Sequence, residues 1–191
     1  DKVMPRSHMV AKYMAVAYFG ISVLGCLAFW LAGMNFFDAI NHAMSAISTG
    51  GFSTSDLSLA KWTQPAVHWV AVVLMILGSL PFVLYVSTLR GNFSAVLNDQ
   101  QVRGFLGILI SVWLSMGTWY YFTTDLHWLD ALRHVAVNAT SVMTTTGFAL
   151  GDYSLWGGFA GMLFFYLGFI GGCSGSTAGG LKIFRFQVAY I

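Results

Sequence analysis

Four long apolar stretches, separated by shorter segments of mixed character, set the pattern of this chain. Residues 13–32 and 65–89 contain no Asp, Glu, Lys or Arg, residues 104–122 form a third stretch, and residues 156–170 begin a fourth. A helix needs about 20 such residues to cross a bilayer, so the first three predict membrane spans. The fourth is too short alone, but it continues through a Gly- and Ser-rich stretch into residues 181–191, which predicts a broken span. Residues 35–61 lie between the first and second stretches, and residues 125–153 between the third and fourth. Both are too short for a domain and too apolar for a plain loop. Each predicts a short helix and an extended turn, dipping into the membrane and returning.

These intervening segments carry a repeat. Ser48-Thr49-Gly50-Gly51-Phe52 in the first answers to Thr144-Thr145-Thr146-Gly147-Phe148 in the second. Upstream, Phe36-Phe37-Asp38-Ala39-Ile40-Asn41-His42 answers to Trp128-Leu129-Asp130-Ala131-Leu132-Arg133-His134. The second copy carries four more residues between its Asp-x-x-x-His and its turn. That is about one helical turn, so the insertion lengthens a helix without rotating its face. The chain is therefore expected to be built twice from one unit. The first occupies residues 1–100 (span 13–32, helix and turn 35–54, span 65–89). The second occupies residues 101–191 (span 104–122, helix and turn 128–149, broken span 156–191). Glycine permits backbone that β-branched residues resist, and non-helical backbone at membrane depth is tolerated where it lines a polar pathway. A Thr-Gly turn repeated between spans points to carbonyls facing a permeating ion.

Both units are also expected to break their last span. Gly78-Ser79-Leu80-Pro81 interrupts the second span, because proline removes a donor and clashes with the preceding turn. The corresponding place in the second unit is Gly171-Gly172-Cys173-Ser174-Gly175-Ser176-Thr177-Ala178-Gly179-Gly180. Such a loop lies just inward of the turn and is free to obstruct a pathway or clear it. The bland alternative is a kinked helix packed through small residues.

Composition agrees with a membrane protein: hydrophobic residues make up 57 % of the chain, charged residues 8 %, and Glu is absent. Soluble domains carry roughly 25 % charge. The start leads into a span too long for a signal peptide, and Cys26 and Cys173 are no disulfide framework. A net charge of +2 gives no reason to expect nucleic acid. Lys2, Arg6, Lys12, Arg90, Arg103, Lys182 and Arg185 fall on one side of the expected arrangement and only Lys61 and Arg133 on the other, which makes the first side cytoplasmic. Asp38, Asp56, Asp125, Asp130 and Asp152 gather on the outer side. They read either as helix caps and loop residues or as a vestibule that concentrates cations.

Other chemistries fit poorly. Asp38 with His42 and Asp130 with His134 share helix faces, but no third or fourth ligand recurs to make a metal site. His8, His68 and His127 read as terminal or interfacial, and Trp62, Trp69, Trp128 and Trp156 as an aromatic belt. Gly175 and Gly180 have phosphate-loop spacing, yet Leu181 separates Gly180 from Lys182 and Ile183 follows. Gly172-Cys173-Ser174-Gly175 is similar to the G-x-S-G of intramembrane serine proteases, but no histidine follows to activate Ser174.

The two Thr-Gly-Phe turns, and above all Gly171 through Lys182, resemble the Trk/Ktr/HKT superfamily of potassium transporters, most of all the membrane subunit of the bacterial Trk uptake system. The resemblance covers nearly the whole chain. It implies an all-α integral membrane protein made of span–pore-helix–filter–span repeats of potassium-channel type, not an enzyme, in a bacterial inner membrane. Four repeats would surround one pore within a subunit. This chain holds two and matches the second and third, so the remaining two are expected elsewhere in the same subunit. The resemblance further implies a homodimer and a cytoplasmic nucleotide-binding regulatory ring. The permeating ion would be K+, with no other cofactor, held by the carbonyls of Thr49, Gly50, Gly51, Thr145, Thr146 and Gly147. Ser48 and Thr144 would add a hydroxyl or carbonyl at the inner edge. Phe52 and Phe148 stand where channels carry Tyr-Gly, which implies fewer ordered ion sites and weaker discrimination against sodium. The gate would be Gly171, Gly172, Ser174, Gly175, Ser176, Thr177, Gly179 and Gly180. Lys182 and Arg185, just beyond it, read as membrane anchors or as contacts to the ring. A sodium- or proton-coupled symporter is the alternative, although no carboxylate sits at mid-membrane to relay protons.

Overall fold

The first expected span folds as α1, Met4–Leu31, and the third as α6, Gln100–Thr123. Among the described residues these are the two helices long and apolar enough to cross a membrane on their own. The architecture is that of a computed structural model, which describes residues 4–89, 91–92 and 94–190. Asp1, Lys2, Arg90 and Ile191, part of the sequence-based expectations, lie outside the described residues. All described elements are helical, with no strand among them. α1 exposes Phe19, Leu24 and Leu31, and α6 exposes Ile110, Leu114 and Phe122. Lipid satisfies such surfaces, and the hydroxyls of Ser111, Ser115 and Thr118 turn back onto carbonyls four residues earlier instead of facing it unpaired.

A shorter helix follows each long one: α2, Phe36–Ile47, and α7, Trp128–Met143, with 12 and 16 residues. The four additional residues of the second segment lie inside α7, since both helices begin two residues before their aspartate and end two before a threonine. Asn35 starts α2, accepting from Asp38 N at 2.8 Å and donating to Asp38 Oδ2 at 2.9 Å, so helix and cap fix each other. His127 caps α7 from an exposed position, its ring accepting from Leu129 N.

The second expected span is two helices, α3, Pro65–Ser79, and α4, Phe82–Leu89, bent at 94°. Proline opens α3 where no donor is needed, and Leu80-Pro81 ends it. A short α5, Ser94–Asn98, leads into α6, whose cap Asp99 accepts from Gln101 N and Val102 N. The last expected span is α8, Gly158–Ile170, then a non-helical stretch, then α9, Ile183–Tyr190. Single 3₁₀ turns at Ser58–Lys61 and Tyr153–Trp156 precede α3 and α8.

α2 packs on α1 and α7 on α6, while α3 lies against both α2 and α7 and so joins the two halves. The core around Phe29, Ile47, Leu59, Val67 and Met75 also takes in Ala136, Val137, Phe148 and Leu150 from the second half. His68, expected at an interface, belongs to this core: it is 2 % exposed and its Nε2 lies 3.1 Å from the Leu59 carbonyl.

Candidate functional site

Both short helices end in the same way. At α2, Thr49 N donates to Ala46 O at 3.2 Å and Gly50 N to Ser45 O at 2.8 Å. At α7, Thr145 N donates to Val142 O at 3.0 Å and Thr146 N to Ser141 O at 2.8 Å. These are paired Schellman bonds, which demand a left-handed residue where the helix stops, usually glycine. Here that residue is threonine, Thr49 at φ 50° and Thr145 at φ 56°. A left-handed β-branched residue costs roughly 1–2 kcal/mol, and such backbone strain gathers at functional sites. Two residues on, the chain is left-handed again, at Gly51 (φ 70°) and Gly147 (φ 96°). The two turns thus repeat one alternating backbone.

The turns also meet. A Cβ added at Gly51 would lie 2.1 Å from the Thr146 carbonyl oxygen, and one at Gly147 would lie 4.0 Å from Gly51 Cα. Gly50 is different: it lacks the left-handed conformation, and threonine holds its place in the second turn. The structure therefore makes Gly51 and Gly147 the constrained glycines of the pair. The hydroxyls of Ser48 and Thr144, named from sequence as inner-edge groups, are turned inward. Ser48 Oγ donates to Ser45 O, while Thr144 Oγ1 donates to Ser141 O at 3.4 Å and shares a 2.7 Å bond with Thr146 Oγ1. The Ser48 carbonyl in turn accepts from Thr49 Oγ1 at 2.7 Å.

Past each turn the chain is braced against its own helix. His42 Nε2 lies 2.9 Å from Ser53 Oγ, and its Nδ1 lies 2.8 Å from the Asp38 carbonyl, so this histidine is held by backbone and not by the Asp38 carboxylate. Asn138, which sequence reasoning passed over, does the equivalent service with both side-chain atoms, bonding Leu150 N at 2.9 Å and Leu150 O at 3.0 Å. The Asp38 carboxylate takes Asn35, Thr54 and Lys61 Nζ, the last at 3.2 Å. The Thr54 hydroxyl, with help from Lys61, lowers its pKa against the opposing effect of burial. Asp130 pairs with Arg133 at 2.8 Å. Two of the five outer aspartates thus spend their charge locally. Asp56 and Asp152 line a cavity of about 480 Å³ together with Ser58 and Ser154. Among the described residues no group of three or more His, Cys, Asp or Glu stands close enough to hold a metal.

The Gly-rich stretch lies against the inner end of this arrangement. Gly179 N donates to Thr145 Oγ1 at 2.6 Å, and the Thr177 hydroxyl is shared between Ile47 O and Gly78 O, each at 2.8 Å. Lack of helix had suggested a loosely held segment. Instead it is held by the break in α3–α4. Cys173 N donates to Ser79 O at 3.0 Å, Thr177 N to Gly78 O at 3.2 Å, and Phe82 N to Gly175 O at 3.0 Å. Three groups left without a helical partner at one break thus find one at the other, as backbone away from water requires. Gln101 Oε1 adds a bond from Ser174 N at 3.0 Å. Lys182 folds back so that its Nζ donates to the Ala178 carbonyl, closing the stretch on itself.

The segment beyond each turn holds a signal that the sequence offered and the reading above missed. Gly51-Phe52-x-x-x-Asp56-x-Ser58-Leu59 is repeated as Gly147-Phe148-x-x-x-Asp152-x-Ser154-Leu155. In the first copy Ser58 Oγ accepts from Ala149 N at 3.1 Å and Leu59 N donates to Ala149 O at 3.1 Å, so this motif touches the second turn directly.

Known proteins match this chain over nearly its whole length. The family model for TrkH, a cation transport protein, matches residues 1–190. The Trk system potassium uptake protein TrkI of Halomonas elongata is 47 % identical over the whole of this chain, which covers 39 % of that protein. TrkH of Escherichia coli K12, another Trk system potassium uptake protein, is 31 % identical, again over the whole of this chain and 40 % of the relative. The crystal structure of the potassium transporter TrkH from Vibrio parahaemolyticus superposes with a TM-score of 0.92 at 30 % identity, over 97 % of this chain and 41 % of that one. The chain therefore spans about 40 % of the length of the curated relatives it matches.

Proposed function

This chain belongs to the TrkH family of cation transport proteins, and from that premise we propose that it forms two quarters of a pore through which potassium enters a bacterial cell across the inner membrane. K+ is the permeating ion. The carbonyls of Thr49, Gly50 and Gly51, with those of Thr145, Thr146 and Gly147, replace part of its hydration shell, and their number and field strength set selectivity. α2 and α7 serve as pore helices, whose C-terminal partial charge favours a cation beside Ser48 and Thr144. Residues 171–180 act as the gate below this filter. The transporter works as a homodimer with a cytoplasmic nucleotide-binding ring that moves the gate.

The observation that carries this reading is the pair of strained, matching Thr-Gly turns in direct contact, with the Gly-rich stretch bonded to one of their threonines. Backbone strain of this kind, duplicated and buried between helices, is costly unless the carbonyls it orients are used. The test is ion flux through the full-length protein expressed in a strain lacking its own potassium uptake. Gly147→Ser is expected to admit sodium or to lose potassium uptake. Unchanged uptake and unchanged preference for potassium over sodium would remove the filter assignment.

A further inference from the structure

The two turns follow one backbone path with unequal support. Ser45 and Ser141 stand three residues before the caps Ser48 and Thr144. In both turns the serine carbonyl takes the same bond at 2.8 Å, from Gly50 N in the first and from Thr146 N in the second. The next residue separates them. Gly147 N donates to Ser141 Oγ at 3.0 Å. The matching Ser45 is 8 % exposed and its Oγ has no partner, so Gly51 N makes no such bond. A buried hydroxyl without a partner is uncommon in a folded protein.

The neighbouring hydroxyls differ in the same sense. Thr146 Oγ1 is tied to Thr144 Oγ1, whereas Gly50 in the matching place has no side chain to tie. Thr145 Oγ1 receives Gly179 N, whereas Thr49 Oγ1 turns onto the carbonyl of the residue before it. Phe148, which follows the second turn, stacks on His42 with ring centroids 5.6 Å apart.

What the Ser141 hydroxyl does follows from the peptide unit. A trans peptide is planar, so its N–H and C=O point in opposite directions. The Gly147 N–H is directed at the last turn of α7, which sends the Thr146 carbonyl the other way. That oxygen lies beside the first turn: a Cβ built at Gly51 would stand 2.1 Å from it. The corresponding peptide joins Gly50 to Gly51, two residues of the greatest backbone freedom, and Ser45 does not hold it by its N–H.

We propose that Ser141 is a positioning residue that determines ion specificity. Its hydroxyl acts without touching the ion, by aiming the Thr146 carbonyl, while the Gly50–Gly51 peptide is the adaptable member of the pair. The second turn supplies a fixed field and the first adjusts to what enters. Carbonyl number and field strength discriminate between K+ and Na+, so discrimination depends on the Ser141 hydroxyl and hardly on that of Ser45. The inference rests on reading these turns as the filter, and deepens that reading by naming a residue behind it.

The ratio of K+ to Na+ flux through the full-length protein tests it. Ser141→Ala is expected to lower the ratio about fivefold, the worth of one ordinary hydrogen bond, and Ser45→Ala to change it less than about twofold. Ser141→Thr and Ser141→Val add similar volume and differ in the hydroxyl. The first is expected to keep the ratio and the second to lower it as Ser141→Ala does. Equal ratios for these two would overturn the proposal, as would a loss in Ser45→Ala equal to that in Ser141→Ala. A uniform fall of both fluxes in Ser141→Ala, with the ratio kept, would make Ser141 merely structural and overturn it too. If the two larger variants fail to fold, judged by melting temperature, Ser141→Ala against Ser45→Ala decides alone. Gly147→Ser separates the two readings. A changed ratio there, with Ser141→Ala unchanged, overturns this proposal and leaves the filter, whereas no change at either position removes both.

Discussion

The two broken spans of this chain solve one problem in opposite ways. Between α3 and α4 only Leu80 and Pro81 intervene, and the helix axis turns through 94°. Between α8 and α9 the whole of residues 171–182 is non-helical. The short break leaves carbonyls at Gly78 and Ser79 and a donor at Phe82 without helical partners, and the long one supplies Thr177, Cys173 and the Gly175 carbonyl. Neither break is tenable at membrane depth without the other. The comparison teaches that mobility here is not simply missing helix: the long stretch can move only by uncovering the short one.

Substitutions at the two breaks should therefore differ in a definite order. Gly171→Ala is expected to do most, since φ is 70° and its Cβ would lie 2.3 Å from the Gly179 carbonyl. A cost of about 3–5 kcal/mol, from left-handed strain and backbone overpacking, should appear as a lower melting temperature and loss of uptake. Gly78→Ala meets the Ile47 carbonyl at 2.7 Å without left-handed strain, so about 1–3 kcal/mol is expected. A Gly78 effect as large as that of Gly171 would break the comparison. Thr177→Val removes one hydroxyl from two carbonyls, at about 1–3 kcal/mol, and should favour the displaced loop. Basal potassium flux without the regulatory partner should rise, and Thr177→Ser should restore it.

Two weaker effects sharpen the contrast between the halves. Asp38 is lowered from an ordinary value of 3.8, so its stabilisation is complete above that value and is lost as pH falls through and below it. The melting temperature of the parent should drop faster across that acid range than that of Asp38→Asn, which is less stable at neutral pH. Equal slopes would count against the Thr54 and Lys61 contacts. Pro81→Ala is expected to change least, within about 1 kcal/mol. The opposite break, and not the proline ring, holds the bend in place. Uptake reduced more than tenfold would make the ring itself the hinge.

Much of this arrangement was legible in the order of residues. Apolar length gave α1 and α6, Gly78 to Pro81 gave the break, and the four residues inserted before Thr144 lie inside α7. What was not legible was who bonds to whom. Nothing in the spacing of Gly78 and Thr177 says that they share a hydrogen bond, because that contact joins two segments far apart in the chain. Left-handed threonines escaped notice because residue preference points to Gly50 as the permissive position, whereas Gly51 and Gly147 are the glycines that need it. His68 read as interfacial because a lone polar residue near a span end usually is, and only packing against Leu59 places it inside. The Asp-x-Ser-Leu repeat was visible throughout, but its purpose lies in a contact between halves.

The bond from Gly179 N to Thr145 Oγ1 gives one side chain two obligations. Thr145 belongs to the turn whose carbonyls would hold the ion and to the support of the loop that would let the ion leave. Any free energy by which occupancy of the turn steadies Thr145 also steadies the loop, and linkage makes the effect reciprocal. On the function proposed above, such wiring would report the cargo to its exit: depletion of external potassium would loosen the loop, and displacement of the loop would weaken the grip on the ion.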